Sequence, residues 1–125
     1  MPAKIYKLLL WVQGLYTLLT ALWGLLDIDS FMVVTGPKTD IWLVKTVSVL
    51  LVAIAICMLS ALFVSGRSLP VIILAALCNI GLASIDFYYA LHGVISNIYM
   101  LDGIAEIILL IGWIYVLVKY KQLKA

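Results

Sequence analysis

The sequence has few charged residues and almost none of the residues that build metal or redox sites. Only 11% of its 125 residues are charged, against about 25% in soluble proteins, whereas 66% are hydrophobic. It contains one histidine, and its two cysteines, Cys57 and Cys78, lie singly inside apolar stretches. We therefore expect no metal site, no cofactor and two small buried thiols. The basic residues form no patch with interleaved aromatics, so nothing in the sequence supports nucleic-acid binding.

Four long apolar stretches fill most of the sequence. They cover about residues 5–26, 41–64, 69–91 and 98–118, and each is close to the ~20 residues that a membrane-spanning helix needs. Because apolar residues run continuously through each stretch and do not alternate with polar ones, the stretches favour helices over a β-barrel. The sequence thus predicts an all-α, integral membrane four-helix bundle in the lipid bilayer, with residues 1–125 as one domain. The first stretch is too long for a signal-peptide core and lacks a cleavage site, so we expect a retained span.

The charged residues are segregated between the two ends of these spans. All six acidic residues lie in or beside the first and third polar breaks, namely Asp27, Asp29, Asp40, Asp86, Asp102 and Glu106. Six of the eight basic residues lie at the opposite end, namely Lys4, Lys7, Arg67, Lys119, Lys121 and Lys124. The positive-inside rule then predicts that both termini are cytoplasmic. Any polar chemistry is expected in the outer half of the bundle.

The first outer loop, residues 27–40, has the most distinctive sequence. We expect Ser30 to cap a one-turn helix there. Gly36 and Pro37 should end it, because glycine accepts a left-handed conformation and proline cannot continue a helix. An aspartate or threonine just before the second span should cap that helix. The loop is predicted to be ordered and to lie at the interface, with a loop motif formed by Thr35, Gly36, Pro37, Lys38, Thr39 and Asp40.

Residues three and four apart share one face of a helix, so polar residues at this spacing form a stripe on each span. The stripes are Gln13, Thr17, Thr20, Gly24 and Asp27 in the first span; Trp42, Lys45 or Thr46, Ala53, Cys57 and Ser60 in the second; Ala75, Asn79, Ala83, Asp86 and Ala90 in the third; and Tyr99, Asp102, Glu106 and Trp113 in the fourth. We interpret the uncharged polar members as contacts that hold the helices together.

The charged members of the stripes are expected to converge. Ionisable residues inside spans usually face the bundle interior and pair. At 1.5 Å per residue, Lys45, Asp86 and Asp102 lie roughly 5–8 Å from the outer ends of their spans, with Glu106 about one turn deeper. Because three carboxylates exceed the one nearby lysine, we expect Glu106 to be neutral near neutral pH. Two interpretations stay open: a network that fixes helix register through a Lys45 ion pair, or a pocket for a proton, a cation or a hydrogen-bonding ligand.

The candidate pocket residues are Glu106, Asp102, Asp86, Lys45, Asn79, Trp42, Tyr89 and Tyr99. The favoured function is binding or moving a small solute or proton through this pocket, and a homodimer would be needed for a transport path because four helices enclose little volume. The alternative is a non-catalytic accessory subunit that docks a membrane protein partner through the loop 27–40. A membrane enzyme with Asp102 and Glu106 as an acid/base pair is disfavoured, because no nucleophile, metal set or cofactor motif accompanies them.

The segment Thr35-Gly-Pro-Lys-Thr-Asp-Ile-Trp-Leu-Val-Lys-Thr-Val47 follows Gln13-Gly-x-Tyr and precedes Asp86-x-x-Tyr and Ile98-Tyr-x-Leu-Asp102. This combination resembles a group of small uncharacterised bacterial four-span membrane proteins. The resemblance implies a multi-pass protein of the bacterial inner membrane and brings no established activity. The small multidrug transporters share this size and span count, but they rely on a glutamate in the first span. In this chain the interior of that span offers Gln13 and threonines.

Overall fold

The computed structural model describes residues 1–123 and is all-helical. Its five α-helices are α1 (Pro2–Leu26), α2 (Ile28–Thr35), α3 (Ile41–Ser60), α4 (Leu69–Leu91) and α5 (Ile98–Val118), and short 3₁₀ turns follow α3 (Ala61–Phe63) and α5 (Tyr120–Gln122). The helices α1, α3 with its turn, α4 and α5 are long and apolar enough to cross a membrane. The predicted all-α class with four candidate spans is confirmed. Lys124, counted above with the basic residues, lies outside the described residues.

The four long helices alternate in direction, which gives the bundle two ends. We call the acidic end the one where α1 and α4 finish and α3 and α5 begin, and the basic end the opposite one. Around the bundle, α1 packs along α3 and against α5, and α5 packs along α4, whereas α3 and α4 make little contact. The short connections at residues 65–68 and around residues 92–93 predict that the helices which they join pack antiparallel against each other. The pair α3 and α4 departs from that prediction, so the bundle has three closed sides and one loose side.

Glycines mark the three closed sides. An added Cβ would come within 2.6 Å of a partner side chain at Gly14 and within 2.8 Å at Gly103 and Gly112. The residues they meet are Leu59 of α3, Phe87 of α4 and Leu9 of α1, respectively. Small residues of this kind let membrane helices approach closely. By contrast, Gly81 of α4 has open space around it.

The turn between α3 and α4 is tied to other parts of the molecule. An Arg67 guanidinium nitrogen donates to the carbonyls of Tyr120 at 2.6 Å and Leu123 at 2.8 Å, and the group lies 4.0 Å from the centre of the Tyr120 ring. The Ser68 N–H donates to the Tyr6 hydroxyl at 3.2 Å. These contacts hold the turn against α1 and the segment after α5. They explain how a short connection joins two helices that barely touch.

The apolar core fills only the basic half of the bundle. Its fully buried side chains include Leu10, Met58, Ile72, Trp113 and Val116. They come from the basic-end halves of α1, α3, α4 and α5. The acidic half therefore has no comparable apolar centre, and its polar side chains face a cavity described below.

The acidic-end loop folds as a two-turn helix, α2, and not as the one-turn helix expected to start at Ser30. Asp27 precedes α2, and its side chain accepts a hydrogen bond from the Ser30 N–H at 3.4 Å, so Asp27 is the cap. The predicted end is confirmed, since Gly36 follows α2 with φ of +100°. Asp40 does precede α3, as predicted. Its side chain makes no capping hydrogen bond, so the predicted capping interaction was wrong.

The predicted inward faces were right for three helices and wrong for α3. The stripes of α1, α4 and α5 place Gln13, Asn79 and Glu106 in the interior. In α3 the buried positions are 48, 55 and 58, which share one face. The predicted stripe is exposed, namely Trp42, Lys45, Thr46, Ala53, Cys57 and Ser60. Because α3 is apolar on all sides, its composition does not mark the inner face. The thiols also differ from expectation, as Cys57 is exposed and Cys78 is only half-buried.

Candidate functional site

A hydrogen-bond network ties three helices together near the middle of the bundle. The Gln13 Oε1 accepts from Asn79 Nδ2 at 3.0 Å and from Trp113 Nε1 at 2.7 Å, and the Gln13 amide donates to the Ala75 carbonyl at 3.3 Å. All three side chains are buried. The network joins α1 to α4 and α5, which fits the interpretation of Gln13 and Asn79 as interhelical contacts. Asn79 was also a candidate pocket residue, but it belongs to this network and not to the cavity lining.

A cavity of about 350 Å³ occupies the acidic half of the bundle. Residues of α1, α3, α4 and α5 form its walls, and Phe31 of α2 and Lys38 of the following loop also line it. Most of the wall is apolar. Its polar members are Tyr16, Thr17, Thr20, Lys38, Ser48, Asp86, Tyr99, Asp102 and Glu106.

Three carboxyl groups from two helices meet at this cavity. Asp102 and Glu106 lie one turn apart on α5, and the Asp86 carboxyl group of α4 lies beside that of Asp102. Asp86 is 5% exposed and Glu106 is 4% exposed. Among the described residues, nothing hydrogen-bonds to Asp86 Oδ2 or Glu106 Oε2. Buried polar atoms are normally satisfied, so Asp86 and Glu106, which both line the cavity, each carry a buried oxygen that lacks a partner among the described residues.

The third carboxyl group has a protein partner. Asp102 accepts a hydrogen bond from the Tyr16 hydroxyl of α1. This bond crosses from α5 to α1. It holds Asp102 in place and leaves Asp86 and Glu106 as the carboxyl groups with unpaired oxygens.

The lysine at the cavity is Lys38, whereas Lys45 was predicted to be there. Lys38 Nζ lies 3.5 Å from the Thr35 carbonyl and 3.4 Å from the Gly36 carbonyl, and 5.0 Å from the centre of the Tyr99 ring. Its ammonium group therefore contacts backbone carbonyls and an aromatic face at the edge of the cavity. Lys45 is exposed on the outer surface of α3. The predicted inward position of Lys45 was wrong, because α3 turns the face of Ser48 to the interior.

Two further candidate residues also lie away from the cavity. Trp42 is 67% exposed, and Tyr89 is exposed near the end of α4. Sequence reasoning missed Tyr16 and Ser48. Tyr16 follows Gln13 by three positions and so shares its face; this spacing was a usable signal. For Ser48 the only sequence signal was its helical spacing from Ala55 and Met58. Many other positions of α3 have the same spacing from apolar residues, so this signal did not single out Ser48.

A second cavity of about 280 Å³ lies under α2. It shares Tyr16, Phe31, Tyr99 and Asp102 with the first cavity, and Trp23 and Val34 belong to the second alone. Trp23 Nε1 donates to the Ser30 hydroxyl at 2.7 Å, which fixes α2 to α1. The Tyr16–Asp102 pair therefore lies at the boundary between the two cavities.

Within residues 1–123, no group of three or more His, Cys, Asp or Glu side chains is arranged to hold a metal ion. Comparison of the chain with protein-family models, with curated proteins and with solved structures gives no match. The resemblance to small bacterial four-span proteins is thus untested and stays a prediction.

Proposed function

We propose that this is a multi-pass membrane protein that binds a small positively charged solute in the cavity of its acidic half, or protons when that solute is absent. The observation that supports this proposal is that Asp86 and Glu106 are buried, each with one unpaired oxygen, and line a cavity whose wall is mostly apolar. Three carboxyl groups face one lysine there. In a membrane interior an excess of negative charge has to be offset by protons or by a bound cation.

We further propose that the acidic end faces the outside and that both termini are cytoplasmic, in the inner membrane of a bacterium. The support for the orientation is the position of the charges, since Arg67, Lys119 and Lys121 lie at the basic end. Cytoplasmic loops carry the excess of lysine and arginine. The cavity would then exchange solute with the outer half of the bilayer or the outer medium.

The alternative, an accessory subunit that docks a partner through residues 27–40, has one supporting observation. Val33 on α2 is 85% exposed. Against it, Phe31 and Lys38 of the same segment line the cavity. A segment that contributes to the cavity wall is better explained as part of the binding site.

The experiment is equilibrium binding of radiolabelled benzyltrimethylammonium, a permanent cation, to the purified protein in detergent. We expect saturable binding, and we expect Asp86→Asn and Glu106→Gln each to weaken it by about tenfold or more, because each removes a charge that faces the bound cation. The matched control is Asp29→Asn, an exposed acidic residue of α2 that does not line the cavity. Neopentylbenzene, the neutral isostere of the probe, should not compete.

Thermal unfolding of each variant checks that a loss of binding is not a loss of fold. The proposal is contradicted if the wild-type protein shows no saturable binding. It is also contradicted if the folded Asp86→Asn and Glu106→Gln variants bind as tightly as the Asp29→Asn control.

A further inference from the structure

We infer that the cavity opens sideways into the lipid between α3 and α4, and that its ligand is a cation with an apolar group, taken up from the bilayer. The identity of the ligand rests on the proposed function. The lateral opening rests on packing and exposure alone, and the two are tested separately below.

The packing of the bundle leaves one side for such an opening. The sides α1–α3, α1–α5 and α4–α5 are closed, and each has a glycine in close contact with a neighbouring side chain. On the remaining side, α3 and α4 approach each other closely at few positions. A cavity bounded by four helices is most accessible where two of them are apart.

The exposure of the lining residues places the opening on that side. Val47 of α3 and Ile85 of α4 both line the cavity, yet they are 50% and 52% exposed. Leu43, one turn before Val47 on the same face, also lines the cavity and is exposed. A residue that faces both the cavity and the surroundings forms part of the rim. Val47 and Ile85 therefore form the two edges of an opening between α3 and α4, which we call the portal.

The depth of the portal places it in the apolar part of the spans. Val47 lies six residues after the start of α3 at Ile41, and Ile85 lies six residues before the end of α4 at Leu91. At 1.5 Å per residue both are about 9 Å from the acidic end of helices that are about 30 Å or more in length. In a bilayer with a hydrocarbon core of ~30 Å, the rim would meet acyl chains and not water.

The chemistry on the two sides of the cavity defines the ligand. The portal side is apolar, with Val44, Leu51 and Leu82 behind the rim, and the acidic groups of the lining are the carboxyl groups of Asp86, Asp102 and Glu106. A fully hydrated inorganic ion would have to shed its water to pass an apolar rim. An organic cation can leave its apolar group among these side chains while its charge reaches the carboxyl groups.

A competing entry route for the ligand runs from the acidic end through the second cavity under α2. Val34 lines that cavity and is 44% exposed, so it would form the rim of this route. The two routes meet at Asp102 and Tyr16, which line both cavities. The two rims are formed by different residues, so each can be narrowed by its own substitution.

The test measures association and dissociation rates of radiolabelled benzyltrimethylammonium on the protein in lipid nanodiscs. Val47→Trp and Ile85→Trp narrow the portal and should slow both rates by about tenfold with Kd within about twofold, because a narrowed entrance raises the barrier in both directions. The matched controls are Val49→Trp on α3 and Ile80→Trp on α4, which replace exposed residues outside the cavity lining. They should exchange at the wild-type rate.

Val34→Trp, with the exposed Val33→Trp as its control, tests the other route. Slow exchange in Val34→Trp together with wild-type rates in Val47→Trp and Ile85→Trp would overturn the portal and leave the proposed function intact. Absence of binding to the wild-type protein would instead overturn the proposed function.

A second measurement tests the portal without any ligand. With Cys57 and Cys78 replaced by alanine, nitroxide labels are attached at Val47→Cys or Ile85→Cys, and their collisions with oxygen and with a water-soluble nickel chelate are compared. We expect high access to oxygen and low access to the chelate, as for a lipid-facing position. Preferential access to the chelate would show a water-filled opening, and low access to both would show a rim covered by protein; either result overturns the portal.

Discussion

At the scale of single residues, the buried polar side chains fall into two groups with different surroundings. Gln13 and Trp113 are hydrogen-bonded inside the interhelical network, where Asn79 also donates a hydrogen bond but leaves its Oδ1 unpaired. Asp86 and Glu106 each leave an oxygen unpaired at the cavity. The first group explains stability and the second group provides the chemistry. Substitutions in the two groups should therefore separate stability from binding.

Gln13→Leu should destabilise the bundle without touching the cavity. It leaves two buried donors, Asn79 Nδ2 and Trp113 Nε1, without their shared acceptor, and we expect a cost of about 1–2 kcal/mol. The measurement is reversible unfolding in detergent micelles. Ser84→Ala is the control, because the exposed Ser84 hydroxyl bonds only to a carbonyl of its own helix. Equal stability of the two variants would show that the network contributes nothing measurable.

The two lysines near the acidic end should differ in their effect on cation binding. Lys38 lines the cavity and Lys45 is exposed on the far face of α3. Lys38→Met removes a positive charge that repels the ligand, and we expect benzyltrimethylammonium affinity to rise about fivefold. Lys45→Met should leave it unchanged. If Lys45→Met gave the larger change, Lys45 would be the lysine that faces the site after all.

At the scale of elements, the inner faces of helices with several polar residues on one face could be predicted from sequence, whereas the inner face of α3 could not. In α4 and α5 the spacing of Asn79, Asp86, Asp102 and Glu106 predicted the inner face correctly, because placing such residues in lipid is costly. Among the four candidate spans, α3 with its following turn contains the 18-residue stretch of highest mean hydropathy. Its few polar residues do not mark one face, since Lys45 and Thr46 are exposed whereas Ser48 is buried. Which face of such a helix turns inward depends on close packing with its neighbour, as at Gly24 against Ser48.

The end of α2 at Gly36 was predicted correctly from the sequence, and it can be tested directly. Gly36 has φ +100° and ψ 160°, a region that only glycine adopts readily, so Gly36→Ala should cost about 1–3 kcal/mol. The matched control is Gly81→Ala in the middle of α4, where an added Cβ meets open space. This substitution should leave the stability unchanged or raise it by up to about 1 kcal/mol. Unfolding of both variants in detergent measures the difference. A Gly36→Ala protein as stable as Gly81→Ala would contradict the loop conformation.

At the scale of the whole molecule, the bundle is packed in its basic half and hollow in its acidic half. The sequence predicted the spans to within a few residues and the convergence of Asp86, Asp102 and Glu106, because hydropathy and helical spacing are local signals. It did not predict the loose side between α3 and α4 or the position of Lys38. Both depend on contacts between distant segments, such as Arg67 with Tyr120 and Lys38 with Tyr99, and no local pattern encodes these.

The orientation of the molecule in the membrane gives the last prediction. With both native cysteines replaced by alanine, single cysteines at Thr39 and Gln122, both exposed and at opposite ends of the bundle, report the two sides. In intact cells a membrane-impermeant maleimide should label Thr39→Cys and spare Gln122→Cys, because the basic end is retained on the cytoplasmic side. Labelling of both variants after the cells are opened serves as the control for reactivity. The reverse pattern in intact cells would place the acidic cavity in the cytoplasmic half of the bilayer, and solute would then reach the portal from the inner leaflet.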